Sequence, residues 1–125
     1  MKVNEFRLKL YPDDFEQQRM FYKDVLGFDI SHEWDKPESK GVMFNVGGTT
    51  LEFMWPVEEG LKDIASGSGL SLRVNDVRGL YEDLKDKANL SHEIRDNAWG
   101  DTSFGIIDPN GYRVSFFTQQ DEYEK

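Results

Sequence analysis

The chain repeats a short pattern at a spacing of about 60 residues, and this repeat limits the folds that it can adopt. The tripeptide Ser-His-Glu at 31–33 recurs at 91–93, and Phe-Tyr-Lys-Asp-Val at 21–25 is echoed by Leu-Tyr-Glu-Asp-Leu at 80–84. The matches come in the same order in both halves of the chain. We therefore expect two copies of one supersecondary unit.

The first copy reads as a strand, a helix and three further strands. An alternating strand over Val3–Tyr11 precedes a helix over Phe15–Leu26, which the acidic residues after Pro12 cap and Gly27 ends. Alternation then predicts strands over Phe28–Trp34, Gly41–Val46 and Thr49–Trp55. The same alternation predicts an apolar layer beneath the helix, formed by Phe6, Leu8, Leu10, Leu51, Phe53 and Trp55.

The second copy has the same order of elements. A strand over Leu70–Asn75 leads to a helix that Asp76 caps and that runs from Val77 to about Lys87. A strand over Leu90–Arg95 follows, and the turn sequence Asp-Pro-Asn-Gly at 108–111 predicts a closing hairpin between strands at 102–107 and 112–117. Its buried layer is predicted to contain Leu70, Leu72, Val74, Val114 and Phe116.

These elements predict an α+β fold made of two βαβββ modules, over residues 3–56 and 69–118. The linker over 57–68 contains a short predicted helix, Glu58–Ala65. With 125 residues, the whole chain 1–125 is expected to form a single domain.

Composition excludes several classes of function. A net charge of −9, from 24 acidic and 15 basic residues, argues against nucleic-acid binding, which needs a basic surface. There is no cysteine, so disulfides and thiol chemistry are absent. No apolar run approaches the roughly 20 residues that cross a bilayer, and no signal-like segment opens the chain, so we expect a cytoplasmic protein without a membrane partner.

Three segments carry a resemblance to a known superfamily. These are Phe21–Phe28, the pair Trp99-Gly100, and the turn that leads into Tyr112. In this order and spacing they resemble the glyoxalase/bleomycin-resistance/dioxygenase superfamily, also called the vicinal oxygen chelate proteins. The resemblance covers nearly the whole chain and implies a cupped mixed sheet with its helices on the outer face. It does not by itself specify a function.

Metal-dependent enzymes of this superfamily hold a cation through four side chains. The resemblance carries those positions onto Arg7, Glu52, Gly69 and Ser115. Arginine has no lone pair to donate and glycine has no side chain, so only Glu52 is suited to a cation. A catalytic metal normally needs three protein ligands. We therefore expect no catalytic residues, no cofactor and no metal-dependent reaction.

The resemblance instead points to the metal-free members of the superfamily, the bleomycin-resistance proteins, which are homodimers that sequester a cationic drug. It implies a metal-independent protein that binds a small molecule, with drug resistance as one role. Glu52 would attract cations, while the arginines would hold it ionised and suit a small carboxylate or phosphate. The predicted ligand-binding residues are Arg7, Trp34, Glu52, Arg73, Trp99, Phe104, Arg113 and Phe117.

Two other interpretations stay open at this point. One is a metal-dependent lyase or dioxygenase that takes atypical ligands from Glu5, Glu52, His32 or His92. The other is a scaffold that binds no small ligand, in which the charged face is a salt-bridged surface covered by water. Alternation places His32 on the face of Phe28, Ile30 and Trp34, and His92 on the face of Leu90 and Ile94.

Overall fold

The computed structural model describes residues 1–57 and 69–119. The chain divides into two compact units, Met1–Ile64 and Ala65–Lys125, and each contains one four-stranded sheet and one helix. This confirms the predicted α+β class and the two modules of like topology. The helix predicted over Glu58–Ala65 lies outside the described residues.

In the first unit, the sheet order is β1-β4-β3-β2, with β1 parallel to β4 and the other pairs antiparallel. The parallel pair requires a crossover, which the helix supplies. The elements are β1 (Arg7–Leu10), α1 (Phe15–Met20), a π-helical turn (Phe21–Val25), β2 (Asp29–Lys36), β3 (Ser39–Val46) and β4 (Thr49–Trp55).

The helix begins and ends at the predicted places but changes its winding on the way. Asp14 caps it by accepting a hydrogen bond from the Gln17 backbone N–H at 3.0 Å, and Gly27, with φ +71°, ends it in the left-handed region. From Phe21 the chain widens into a π-helical turn, where the Leu26 N–H donates to the Phe21 carbonyl at 3.0 Å. The predicted helix over Phe15–Leu26 is therefore present, but its second half is π-helical rather than α-helical.

The wider turn coincides with the deepest aromatic packing of the unit. Tyr22 is fully buried, and its ring lies 5.0 Å from that of Phe53 and 6.1 Å from that of Phe44. These contacts show that Phe44 and Phe53 face the helix, as do Val42 and Leu51 by alternation along the same strands. Of the core predicted for β4, Leu51 and Phe53 are confirmed, whereas Trp55 is only half-buried.

The prediction for the first strand is wrong at its start. β1 begins at Arg7 rather than Val3, and Phe6, assigned to the buried layer, is 65% exposed. The parallel ladder with β4 begins at Arg7, and the Phe6 carbonyl accepts its first hydrogen bond, from the Thr50 N–H at 3.3 Å, so periodicity continued the strand beyond the ladder.

In the second unit, the sheet order is β5-β8-β7-β6, again with one parallel pair, β5 with β8. The elements are β5 (Gly69–Arg73), α2 (Val77–Leu84), β6 (Asn89–Asp96), β7 (Asp101–Ile107) and β8 (Arg113–Gln119).

Side-chain hydrogen bonds fasten the start of α2 to the sheet. Asp76 accepts from the Gly79 backbone N–H at 3.1 Å. The hydroxyl of Thr118 on β8 accepts from the Val77 N–H at 3.2 Å and donates to the Val74 carbonyl at 2.7 Å. Because Thr118 is fully buried, these bonds satisfy a polar group that would otherwise destabilise the core.

The closing hairpin has the predicted turn. Asp108 accepts from the backbone N–H groups of Asn110 and Tyr112 at 3.0 and 2.9 Å, and Gly111 takes a φ of +94°. The turn therefore leads β7 into β8 as expected.

Each unit has a β-bulge near its histidine, and the bulge moves the histidine off the face of the apolar residue two positions earlier, although His32 and Trp34 share a face as predicted. Ile30 pairs with Phe44 on the α1 side, but the register shifts and His32 pairs with Met43 on the opposite side. The same shift lies between Leu90 and His92. The histidines therefore do not share a face with the apolar residues two positions earlier, because one extra residue reverses the alternation.

Candidate functional site

The far face of the first sheet, the face away from α1, carries Lys9, Trp34, Met43 and Glu52. Glu52 is only 3% exposed, and its Oε1 atom has no hydrogen-bond partner among the described residues. Its register neighbours are Lys9 on β1 and Met43 on β3. A buried acceptor without a donor lowers the free energy of unfolding by about 1–3 kcal/mol. The position of this carboxylate therefore makes the fold less stable.

Arg7, expected beside Glu52, binds Glu5 instead. Its Nε and Nη2 atoms donate to the two carboxylate oxygens of Glu5 at 2.9 and 3.2 Å. This hydrogen bonding lowers the pKa of Glu5 and raises the pKa of Arg7, to which the more distant negative charge of Glu52 also contributes. Glu5, the second carboxylate considered for a metal, is therefore engaged by a guanidinium.

The side chain of Trp34, on β2, lies across the neighbouring strand β3. Its indole N–H donates to the Ser39 hydroxyl at 2.9 Å, and a Cβ atom at Gly41 would overlap the indole ring. The ring of His32 lies 5.8 Å from that of Trp34. A glycine at position 41 therefore lets the indole lie flat on β3, half-buried and held in one orientation.

The far face of the second sheet, the face away from α2, carries Arg73, Gly105, Ser115 and Phe117. Arg73 pairs with Phe117, while Ser115 pairs with Gly105 on β7. Arg113 begins β8 opposite Gly69. Two cationic side chains of the predicted ligand-binding set, Arg73 and Arg113, and one aromatic ring, Phe117, therefore lie on this face.

Phe104 does not belong to that face. It is fully buried, with its ring 5.2 Å from Tyr81 of α2 and stacked 5.2 Å from Phe116. Phe104 was predicted to bind the ligand, but it lies in the core beneath α2 instead. Periodicity left its orientation open, and packing against α2 decides it.

Trp99 lies at the tip of the β6–β7 hairpin and is 74% exposed. Below it, the buried Asn97 side chain donates to Asp101 Oδ1 at 2.7 Å and to the Ser103 hydroxyl at 2.8 Å. It also accepts from Arg95 Nε at 3.0 Å. This network, which supports an exposed tryptophan at a hairpin tip, was not predicted from the sequence, where its signal is the polar run before Trp-Gly.

The positions at which the superfamily holds a metal do not form a metal site in this chain. Glu52 is the only carboxylate among them, Arg7 is bound to Glu5, Gly69 has no side chain, and Ser115 carries a neutral hydroxyl. Within residues 1–57 and 69–119, no three His, Cys, Asp or Glu side chains are grouped so that they could hold a metal ion. The donor set therefore does not fit a catalytic metal.

The fold and the positions of these residues agree with a match to a family model over residues 4–116. The chain belongs to the Glyoxalase/Bleomycin resistance protein/Dioxygenase superfamily. No curated protein matches the chain.

Solved structures share the fold at low sequence identity. The lactoylglutathione lyase of Agrobacterium tumefaciens is 23% identical, with a TM-score of 0.71 over 94% of this chain and 95% of that one. TnmS3, an antibiotic binding protein from Streptomyces sp. CB03234, is 19% identical, with a TM-score of 0.76 over 95% and 98%. TioX from Micromonospora sp. ML1 is 15% identical, with a TM-score of 0.74 over 94% and 99%. These likenesses establish the fold and no specific activity.

Neither helix in the described part of the chain is long and apolar enough to cross a bilayer.

Proposed function

We propose that this chain is a metal-independent protein that binds and sequesters a small molecule, and that Glu52 on the far face of the first sheet contacts it. The observation that carries the proposal is Glu52, a 3% exposed carboxylate whose Oε1 has no partner among the described residues. Buried acceptors are normally satisfied, and exceptions are common at functional sites. A ligand that donates an N–H or O–H hydrogen bond to this atom would remove the energetic penalty of the unsatisfied acceptor.

The other predicted residues have complementary roles in this proposal. Trp34 and Trp99 offer flat aromatic surfaces, one half-buried on its strand and one exposed at a hairpin tip. Arg73 and Arg113 supply positive charge for an acidic group on the ligand. Arg7 acts through its pair with Glu5, and Phe117 adds apolar area.

One of the similar solved structures supports a binding role over a catalytic one. TnmS3 is described as an antibiotic binding protein, and its fold is shared over nearly the whole length of both chains. Binding of an antibiotic, and hence drug resistance, is the form of the proposal that follows from this likeness. We further infer that the protein works as a homodimer, as the metal-free members do, and that it is located in the cytoplasm.

The first experiment is elemental analysis of the purified protein, followed by titration with nickel, zinc and manganese. We expect no stoichiometric metal and no tight binding. One tightly bound divalent ion per chain would contradict the proposal and favour the metal-dependent lyase or dioxygenase, with Glu52 among its ligands.

The second experiment screens cationic drugs and small organic acids by tryptophan fluorescence and compares three proteins. Glu52→Gln is expected to weaken binding of any hit, whereas the matched control Glu93→Gln, on an exposed strand position, is expected to leave it unchanged. No binding by any compound, or equal binding by all three proteins, would contradict the proposal.

A further inference from the structure

Glu52 has a cationic neighbour that does not pair with it. Lys9 on β1 is its register partner, and paired strands lie about 4.8 Å apart. Lys9 is exposed and makes no hydrogen bond or ion pair within residues 1–57 and 69–119. Arg7, two residues earlier on the same face, donates to Glu5. Neither cation therefore supplies the donor that Glu52 Oε1 lacks.

The opposite side of Glu52 is apolar. Its partner on β3 is Met43, and Met54 lies two residues further along β4 on the same face. Both methionines are half-buried. Met54 pairs with Gly41, the residue that the Trp34 indole covers. A buried carboxylate, two adaptable thioether chains and a flat ring are therefore neighbours on one sheet face.

The charges of this face oppose a ligand that carries a single charge. Because the Arg7–Glu5 pair is neutral, the remaining charges of Lys9 and Glu52 sum to zero. A simple anion would meet the buried carboxylate, and a simple cation would lie beside the Lys9 ammonium. Like charges at close range are unfavourable in a recognition site. A ligand with one charge of each sign avoids both repulsions and satisfies both side chains.

An α-amino acid group carries these two charges on a single carbon. Its ammonium has three N–H donors, one of which can satisfy Glu52 Oε1. Its carboxylate can accept from the Lys9 ammonium, whose flexible four-carbon stem adjusts to the position of the acid. Lys9 and Glu52 lie on adjacent strands, so their spacing suits two charged groups that are close together. An apolar substituent on the same carbon would then lie over Met43.

We propose that the far face of the first sheet recognises an α-amino acid group on its ligand. The ammonium binds Glu52, the carboxylate binds Lys9, and the apolar side chain packs on Met43 in the direction of Trp34. This ligand class rests on the function proposed above and makes it specific. All of these residues belong to the first unit.

Isothermal titration calorimetry with three compounds of matched carbon frame tests the two charges. L-Phenylalanine carries both charges, phenethylamine carries only the ammonium, and 3-phenylpropanoate carries only the carboxylate. We expect one L-phenylalanine to bind per chain. Each single-charge compound should bind at least about tenfold more weakly, because it leaves one charged side chain unsatisfied. The comparison uses the unchanged protein, so its outcome does not depend on the folding of a variant.

Two variants assign each charge to its partner. Glu52→Gln is expected to weaken L-phenylalanine binding about tenfold, because this carboxylate is buried. Lys9→Gln is expected to weaken it roughly threefold, because this ammonium is exposed. The preference for L-phenylalanine over phenethylamine should also shrink in Lys9→Gln, since the carboxylate then has no partner.

A matched control separates the local contact from the net charge. Lys23→Gln, at an exposed position of the π-helical turn, changes the net charge by the same amount as Lys9→Gln. It is expected to leave the affinity for L-phenylalanine unchanged. Thermal melting verifies that each variant is folded before affinities are compared.

Three results would overturn the proposed ligand class. These are no binding of L-phenylalanine, equally tight binding of either single-charge compound, and a loss in Lys23→Gln equal to that in Lys9→Gln. The function proposed above fails in a different way, when no small molecule depends on Glu52. A compound from its fluorescence screen that Glu52→Gln weakens, together with no binding of L-phenylalanine, would support that function and exclude only the amino acid group.

Discussion

Glu52 shows how one side chain can oppose the stability of its own fold. Its neighbours Leu51 and Phe53 are buried beneath α1 as apolar residues should be, while Glu52 is buried on the other face with an unsatisfied oxygen. Selection for packing alone would place an apolar residue there. The proposed binding function accounts for a carboxylate at this position.

Replacing this carboxylate by its amide is expected to stabilise the free protein. Glu52→Gln keeps the size and removes the charge, so the free energy of unfolding should rise by about 1 kcal/mol. Urea denaturation at neutral pH measures the change. Glu93→Gln, exposed on β6, should stay within about 0.5 kcal/mol. A loss of stability in Glu52→Gln would mean that Oε1 has a donor in solution.

The Glu5–Arg7 pair predicts a specific dependence on pH. Because hydrogen bonding by Arg7 lowers the pKa of Glu5 from its ordinary 4.5, the pair stabilises the folded chain above that pH. The contribution is lost as the pH falls through the lowered folded value. An NMR titration of the Glu5 carboxyl should show the lowered pKa, and Arg7→Gln should return it towards 4.5. Equal values in both proteins would contradict the pairing.

At the scale of elements, hairpin β6–β7 depends on a single buried amide. Asn97 connects Arg95, Asp101 and Ser103 through three side-chain hydrogen bonds. Its backbone N–H also donates to the Asp101 carbonyl at 2.8 Å, and this closes the loop. The position of Trp99 therefore depends on the side chain of Asn97, two positions earlier in the chain.

Removing that amide is expected to destabilise the hairpin. Asn97→Ala leaves buried polar groups without partners and should cost about 2 kcal/mol in the free energy of unfolding. The amide hydrogen of Gly100 should then exchange faster. Asn45→Ala, at an exposed position of β3, is the control and should change stability by less than about 0.5 kcal/mol. Unchanged exchange at Gly100 would show that backbone hydrogen bonds alone hold the loop.

The contact between β2 and β3 depends on the glycine beneath Trp34. Gly41→Ala introduces a Cβ atom that overlaps the indole ring, so the ring must move or the strands must separate, at a cost of about 1–3 kcal/mol. Thermal melting and the tryptophan emission maximum should both shift. Gly69→Ala, where a Cβ would lie 3.2 Å from the Arg113 carbonyl oxygen, should have the smaller effect. Equal effects at the two sites would contradict the placement of Trp34.

At the scale of the whole molecule, the two units repeat one topology but differ in their charges. Both have a capping aspartate, a crossover helix and a bulge near the histidine. Arg78, the second residue of the second helix, is matched by an acid, Glu16, in the first. A shared backbone therefore carries two different surfaces, consistent with a fold that hosts many functions.

The homodimer stays a prediction at this scale. Sedimentation equilibrium is expected to give twice the chain mass of 14.5 kDa at micromolar concentration. The net charge of −9 opposes association, so the dimer should strengthen as salt is added. A single species at the chain mass across all concentrations would contradict it.

Local rules in the sequence were sufficient for most of the architecture. The aspartate caps, Gly27 and the turn at 108–111 act over a few residues of backbone, and the repeat shows that the two units share a plan. Alternation placed Leu51, Phe53, Val114 and Phe116 in the cores because strand geometry has a period of two wherever pairing is regular.

Only the tertiary structure decided the features that depend on distant partners. The bulges reversed the faces of Glu33 and the histidines, because register depends on the neighbouring strand and one extra residue inverts the side chains that follow it, in β6 only as far as a second shift after His92. Packing against α2 placed Phe104 in the core, and the end of pairing with β4 left Phe6 exposed. The sequence by itself determined which elements form, since that is settled locally; which charges remain unpaired was settled by contacts between residues far apart in the chain.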